Sequence, residues 1–146
     1  MKRSDALKAL SRQHHQALFV AMRLKRATPH TARHARDAFL DFWSSEGRSH
    51  FRAEEEALLP AFAAHAPPDH EAVVRVLVEH VDLRRRRSEL AQDGDPTPEE
   101  LRELGARLEG HIRHEERVLF PLIEEALSED ELERLVAALE EAETSA

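Results

Sequence analysis

Two eleven-residue blocks of this chain are near copies of each other, and they restrict its fold more than any other feature. One runs His50-Phe51-Arg52-Ala53-Glu54-Glu55-Glu56-Ala57-Leu58-Leu59-Pro60. The other runs His111-Ile112-Arg113-His114-Glu115-Glu116-Arg117-Val118-Leu119-Phe120-Pro121. His, Arg, Glu, Glu, Leu and Pro recur in register. In each block the His and the first Glu are four residues apart, one helical turn, so both side chains leave the same face. That face is the apolar one. Phe39, Trp43, Glu46, His50, Glu54 and Ala57 step by three or four, as do Leu104, Leu108, His111, Glu115, Val118 and Leu122. A carboxylate aimed into a core without a partner is costly. Two Glu and two His converging on one core therefore call for a cation. Glu55, Glu56, Glu116 and His114 fall beside the stripe and are expected to face solvent.

The rest of the chain reads as helices around these two. A first helix over about 4–27 carries Leu7, Leu10, Ala17, Leu18, Ala21 and Leu24, capped by Ser4 or Asp5 and ended by Thr28-Pro29. The second spans about 31–65, weakened at Gly47 and kinked or ended by Pro60. Pro67-Pro68 breaks the chain, and Asp69 is expected to cap a third helix to about Gln92 with Val73, Val76, Leu77, Leu83 and Leu90 on its buried face. Asp93-Gly94-Asp95-Pro96 reads as a turn. Thr97, Pro98 and Glu100 form a capping box opening the fourth helix, which carries Leu101, Leu104, Leu108, Ile112 and Leu119. Ser128 with Glu131 opens a short fifth with Leu132, Leu135, Val136 and Leu139. Four long helices with short connections imply an all-α fold, an antiparallel up-down-up-down four-helix bundle with a short C-terminal fifth helix. No linker divides the chain, so one domain over 1–146 is expected.

Histidines on the other two helices complete the pattern. His14 lies between Leu10 and Leu18 on the apolar seam of the first helix; its neighbour His15 is rotated about 100° away but stays open as an alternative. His80 lies on the stripe of the third, between Val76 and Leu83. His30, His34, His65 and His70 fall in loops or at helix ends and read as solvated, and Arg84-Arg85-Arg86-Arg87 reads as a solvated helical face. Trp43 and the phenylalanines read as core. The chain has no cysteine, so a metal site here is built from His and carboxylate, a donor set that suits iron, zinc or manganese.

The chain resembles the hemerythrin-like, or HHE cation-binding, family. The matching pattern is His14 on the first helix, His50 and Glu54 on the second, His80 on the third, and His111 and Glu115 on the fourth, with a Glu-Glu-x-x-Leu-x-Pro tail after both His residues of the repeat. The resemblance implies a non-haem centre of two iron ions in the bundle core, bridged by both glutamates and by an oxo or hydroxo group, with His14, His50, Glu54, His80, His111 and Glu115 as metal ligands. One feature departs from the oxygen-carrying members, which have His-x-x-x-His on the third helix. Here Val76 and Arg84 flank His80 at that spacing. Water, His15 or Glu79 are the candidates for the position left open.

The expected function is that of a di-iron protein that binds or senses O2, NO or peroxide. The alternative is an enzyme on the same site that decomposes peroxide, reduces NO, or oxidises or stores iron. Tyrosine is absent, which excludes a tyrosyl radical or a tyrosinate ligand. The net charge of −8 argues against nucleic acid as partner. No stretch is apolar for long enough to span a membrane, and the start of the chain lacks the apolar segment of a secretory signal, so a cytoplasmic location is expected. The partner is expected to be a small diatomic or peroxide ligand. The chain itself is expected to be a monomer or weak homodimer, with the fifth helix available to dock on a partner or a second copy.

Overall fold

Each expected helix forms, and two of them contain a turn that periodicity alone does not foresee. The computed structural model describes residues 2–92 and 94–144. Among these there are five helical rods: α1 (Asp5–Lys25), α2 (32–63), α3 (Glu71–Leu90), α4 (98–126) and α5 (Glu129–Thr144). Ser4 caps α1, its Oγ accepting from the Ala6 amide. α3 begins at Glu71, and its cap is the His70 ring, whose Nδ1 accepts from the Ala72 amide; Asp69 is not the cap. Thr97 and Glu100 exchange both hydrogen bonds of a capping box, and so do Ser128 and Glu131. Asp93 of the expected turn lies outside the described residues; Gly94 beside it has φ of +122°, which a side chain would disfavour.

α2 holds π turns at Trp43–Gly47 and Glu54–Leu58, and α4 holds one at Glu115–Leu119. The latter two begin at the first Glu of each repeat and end shortly before its Pro. A proline ring collides with the carbonyl four residues back and lacks an N–H to donate; the wider π turn takes both in its stride. Pro60 therefore neither ends nor breaks α2, which continues to Ala63, and α4 passes Pro121 in the same way. The wider turn also slips the phase of the apolar stripe. Leu119 and Phe120 are fully buried, whereas Val118, expected on the stripe, is exposed. Leu77 and Val136 are likewise more exposed than their spacing suggests.

The core divides into two apolar layers with a polar layer between them. One contains Leu7, Leu10, Leu58, Val76, Leu119 and Ile123; the other Ala17, Leu24, Phe39, Trp43, Leu83 and Leu108. His14 lies between Leu10 and Ala17, and His80 between Val76 and Leu83. α5 is not free: Leu135 and Leu139 are buried in the first layer, and its ends are tied by His65 to Glu131 and by Gln13 to Glu143. Residues near the start of α1 meet the end of α4, Arg3 on Glu124, while Lys25 meets Glu109. His114 on α4 meets Ala72 at the start of α3, and Arg107 meets Asp82 further along it.

α1 and α4 pack closely at Gly105. A Cβ built there would stand 2.7 Å from the Ala21 carbonyl oxygen and 2.8 Å from Leu24 Cβ. Gly105→Ala is therefore expected to destabilise the protein by about 1–3 kcal/mol, despite alanine's better helix propensity. Urea unfolding followed by circular dichroism measures it.

Candidate metal centre

The polar layer is a single buried cluster. His14 comes from α1, His50 and Glu54 from α2, His80 from α3, and His111 and Glu115 from α4; all six are buried. His15, one residue on from His14, is exposed. The two glutamates lie at the centre, and each sends its two oxygens to different histidines. Glu115 Oε1 is 2.9 Å from His14 Nε2 and 3.9 Å from His50 Nε2. Its Oε2 is 3.3 Å from His111 Nε2 and 3.9 Å from His80 Nε2. Glu54 mirrors this, with Oε2 3.1 Å from His50 and Oε1 3.1 Å from His80. Two donor sets result, His14, His50, Glu54 and Glu115 on one side and Glu54, His80, His111 and Glu115 on the other. Within each set the donor atoms lie within 4.8 Å of one another.

Each imidazole is aimed by its other nitrogen. Nδ1 of His14 is 2.6 Å from Glu116, that of His50 2.6 Å from Gln13 Oε1, that of His80 2.6 Å from Glu55, and that of His111 2.9 Å from Glu79. With Nδ1–H donated outward, Nε2 presents its lone pair inward, as a metal-binding histidine requires. The pattern follows the repeat. The residue after each central Glu, Glu55 or Glu116, holds the histidine of α3 or α1. The residue before each single histidine, Gln13 or Glu79, holds the histidine of α2 or α4. Gln13 is the one neutral member. Its Nε2 donates to Glu143 of α5 at 3.2 Å, which fixes the amide so that Oε1 faces His50.

These outer groups correct the expectation that the residues beside the stripe are solvated. Glu55 and Glu116 are half-buried and engaged, and only Glu56 stays exposed. Glu79 serves Nδ1 of His111 from outside and does not enter the donor sets. Arg84 is no plain solvated residue: it donates to Glu55 at 3.0 Å and lies over the Trp43 and Phe51 rings. His114 is buried, with Nε2 near the Ala72 carbonyl. Glu55→Ala and Glu116→Ala are each expected to weaken metal binding about 10–100-fold, while Glu56→Ala leaves it unchanged; competition against a chromophoric chelator reads all three.

The donor set fits a metal cation. Glu54 Oε1, Glu115 Oε2, His80 Nε2 and His111 Nε2 are buried with no hydrogen-bond partner. An unsatisfied buried polar atom costs about 1–3 kcal/mol, and these four, which meet one another only as ion pairs at 3.1, 3.3 and 3.9 Å, suit a ligand that accepts lone pairs. Without it the cluster is held by protons. Burial alone pushes the His50 imidazole down, but the charges of Glu54 and Glu115 and their hydrogen bonds outweigh it and lift it to about 10. Burial likewise opposes His111, which Glu115, Glu79 and Glu54 lift to about 10. Burial would raise the Glu115 carboxyl, yet His111, His14 and His50 hold it well below its usual range.

A metal must displace those imidazole protons. The stability that His50 and His111 give the metal-free protein is complete below about pH 6.5 and is lost as pH rises through about 10. Metal affinity moves the opposite way. It is expected to rise by up to about one decade per pH unit for each proton displaced, levelling off near pH 10. Metal titration by calorimetry in buffers of different ionisation enthalpy counts the protons released.

The pattern of donors, four histidines and two glutamates on four helices, agrees with the family that the chain matches. Residues 6–123 match the family described as the hemerythrin HHE cation-binding domain. The chain belongs to this family. It is thus an HHE cation-binding domain with a helical fold, and its buried His/Glu cluster is of the kind that can hold a metal. α5 lies beyond the matched span, although Glu143 reaches Gln13 and thus the periphery of the centre. No match was found among curated proteins, and none among solved structures.

Proposed function

We propose that this chain holds two iron ions at the two donor sets and binds a small ligand, O2, NO or peroxide, beside them. The observation that carries the reading is the division of labour within the two glutamates, the arrangement of a bridging carboxylate: Glu115 gives one oxygen to His14 and His50 and the other to His111 and His80, and Glu54 gives one to His50 and the other to His80. Two imidazoles and two carboxylate oxygens per position, His14, His50, Glu54 and Glu115 on one side and His80, His111, Glu54 and Glu115 on the other, suit iron in preference to softer metals. When bound, the irons supply electrons and open coordination positions to the ligand. The protein's part is to hold the imidazoles through Gln13, Glu55, Glu79 and Glu116 and to keep bulk water away with two apolar layers.

The reading includes the antiparallel up-down-up-down order of α1–α4. It is supported by the pairs Arg3–Glu124 and Lys25–Glu109, which run in opposite directions along α1 and α4. Ala72–His114 and Asp82–Arg107 do the same for α3 and α4. Room for the ligand lies beside the centre, where a cavity is bounded by His14, His50, His111 and Glu115 together with apolar residues of α1, α2 and α4. The centres of water-sized molecules range over about 20 Å³ of it, room for about one water-sized ligand. No described helix is long and apolar enough to cross a membrane.

The position opened by the absence of a fifth histidine stays open. Val76 is buried in the apolar layer and Arg84 is engaged with Glu55. Reduced, iron-loaded protein is expected to show a stoichiometric spectral change with O2 or NO. Continuous loss of excess peroxide without a matching stoichiometric change would favour the enzymatic alternative, and no response to any of the three would overturn both.

A further inference from the structure

Three of the four histidines in the donor sets are aimed by a carboxylate, and the fourth is not. Behind His14 stands Glu116 with Arg3 beyond it, behind His80 Glu55 with Arg84, and behind His111 Glu79 with Arg75. Behind His50 stands the neutral amide of Gln13, 2.6 Å from Nδ1, and the carboxylate lies one group further out, on Glu143 of α5. The direction of this chain of hydrogen bonds is fixed. With Nε2 of His50 turned inward, Nδ1–H donates to Gln13 Oε1, and Gln13 Nε2 is left to donate to Glu143, 3.2 Å away. Glu143 is held there because it lies one turn after Leu139, which is buried in the first apolar layer.

We infer that the two metal positions are unequal: the His80/His111 position holds its cation more tightly, and Glu143, acting through Gln13 on His50, sets the affinity of the His14/His50 position. The inference rests on the dinuclear reading above and deepens it. A carboxylate that accepts from Nδ1–H makes the imidazole a stronger donor at Nε2. A hydrogen bond to a charged acceptor is roughly twice as strong as one to a neutral acceptor. His80 and His111 both have that support; of His14 and His50, only His14 does. Glu143 restores part of it, because an amide that donates to a carboxylate is polarised and its oxygen becomes the better acceptor. Glu143 is thus a positioning residue, and it lies beyond the matched residues 6–123. α5 makes the affinity of one position depend on an element outside the matched span.

Two single-position proteins test the inequality. Metal-free His14→Ala keeps the His80/His111 position and metal-free His80→Ala keeps the other; each loses one carboxylate-aimed histidine. Iron(II) affinity is measured anaerobically by competition with a chromophoric chelator, after circular dichroism has shown each protein to be folded. His14→Ala is expected to bind its iron at least about tenfold more tightly than His80→Ala, the lower end of the loss that follows removal of a group aiming a metal-bound histidine. Glu143→Gln keeps an oxygen for the Gln13 amide and removes only the charge. It is expected to weaken His80→Ala by about threefold or more, the scale of one half-screened charge, and His14→Ala by less. Glu140→Gln, on the exposed face of α5, removes the same charge and is expected to change neither. Adding Gln13→Glu to Glu143→Gln moves the carboxylate onto His50 and is expected to recover the lost affinity, which a merely structural tie would not do. In the full centre Glu143→Gln is expected to loosen the second stepwise constant more than the first, a titration that decides the matter where an alanine variant does not fold. Affinities within about twofold in the two alanine proteins, or the reverse order, overturn the inequality. A Glu143→Gln effect matched by Glu140→Gln, or not recovered by Gln13→Glu, overturns the role of Glu143. Wild type that folds and refuses iron brings down the dinuclear reading, and this assignment with it.

Discussion

Glu115→Gln protein, purified after growth in iron-supplemented medium, is expected to carry less than about a tenth of the wild-type iron while keeping its helical content. Glu115, like Glu54, belongs to both donor sets, and it meets all four histidines. Its two oxygens lie 2.9 and 3.9 Å from His14 and His50 on one side and 3.3 and 3.9 Å from His111 and His80 on the other. The amide replaces one of these oxygens with an NH2 group that donates and cannot ligate, and it removes a negative charge that both cations need. Loss of a group that merely orients a metal-bound histidine costs about 10–100-fold in affinity; loss of a ligand shared by both positions costs more. The helices stay because the apolar layers on either side of the cluster do not involve Glu115. His14→Ala, by contrast, strips one imidazole from one position and is expected to leave up to one iron per chain. Mass spectrometric metal analysis of the three proteins orders them. Glu115→Gln that still carried two irons would remove the bridging role.

Loading with metal is expected to raise the melting temperature by about 15–30 °C. A ligand at a thousandfold excess over its dissociation constant stabilises the native state by about 4 kcal/mol, so two positions give about 8 kcal/mol. In a chain of this length each kcal/mol moves the midpoint by about 2–4 °C. The metal-free cluster is the weak point of the fold. It buries two carboxylates among imidazoles and leaves Glu54 Oε1, Glu115 Oε2, His80 Nε2 and His111 Nε2 without hydrogen-bond partners. Differential scanning calorimetry before and after chelation reads the difference, and the gap is expected to widen as pH rises from about 6.5 toward 10, where the displaced protons no longer compete. A chelated protein melting within a few degrees of the loaded one would mean that the cluster is satisfied by its own ion pairs.

The six central side chains were legible in the sequence because helical periodicity is a local rule. A residue four steps from Leu10 and four from Leu18 faces inward whatever the rest of the chain does, and the repeat marks His50, Glu54, His111 and Glu115 in the same way. The groups that aim the histidines were not legible. Glu55, Glu116, Gln13 and Glu79 sit one residue from the stripe, about 100° round the helix, where an isolated helix offers them to water. Only the approach of a neighbouring helix turns that flank into the outer wall of the centre. The repeat does hold a trace of it, since Glu55 and Glu116 recur together with Glu54 and Glu115.

The π turns left a similarly faint trace. Pro60 and Pro121 announce a disturbed turn but not its direction, so Val118 was placed on the stripe that the slipped phase gives to Leu119. His70 displaced Asp69 as the cap of α3 because its ring nitrogen, one residue nearer, reaches the Ala72 amide. Glu46 was visible on the stripe of α2, yet nothing in the spacing distinguishes a half-buried carboxylate outside the donor sets from one within them. The packing of α5 against α1 and α2, and its reach through Glu143 and Gln13 to His50, depends on tertiary contacts that amphipathicity alone cannot orient.

The most direct test of the dinuclear account is the iron content of the full chain, by mass spectrometry, after reconstitution of metal-free protein with iron(II) and removal of excess. About two irons per chain, absent from Glu115→Gln, is the predicted result. Folded protein that takes up no iron would contradict it.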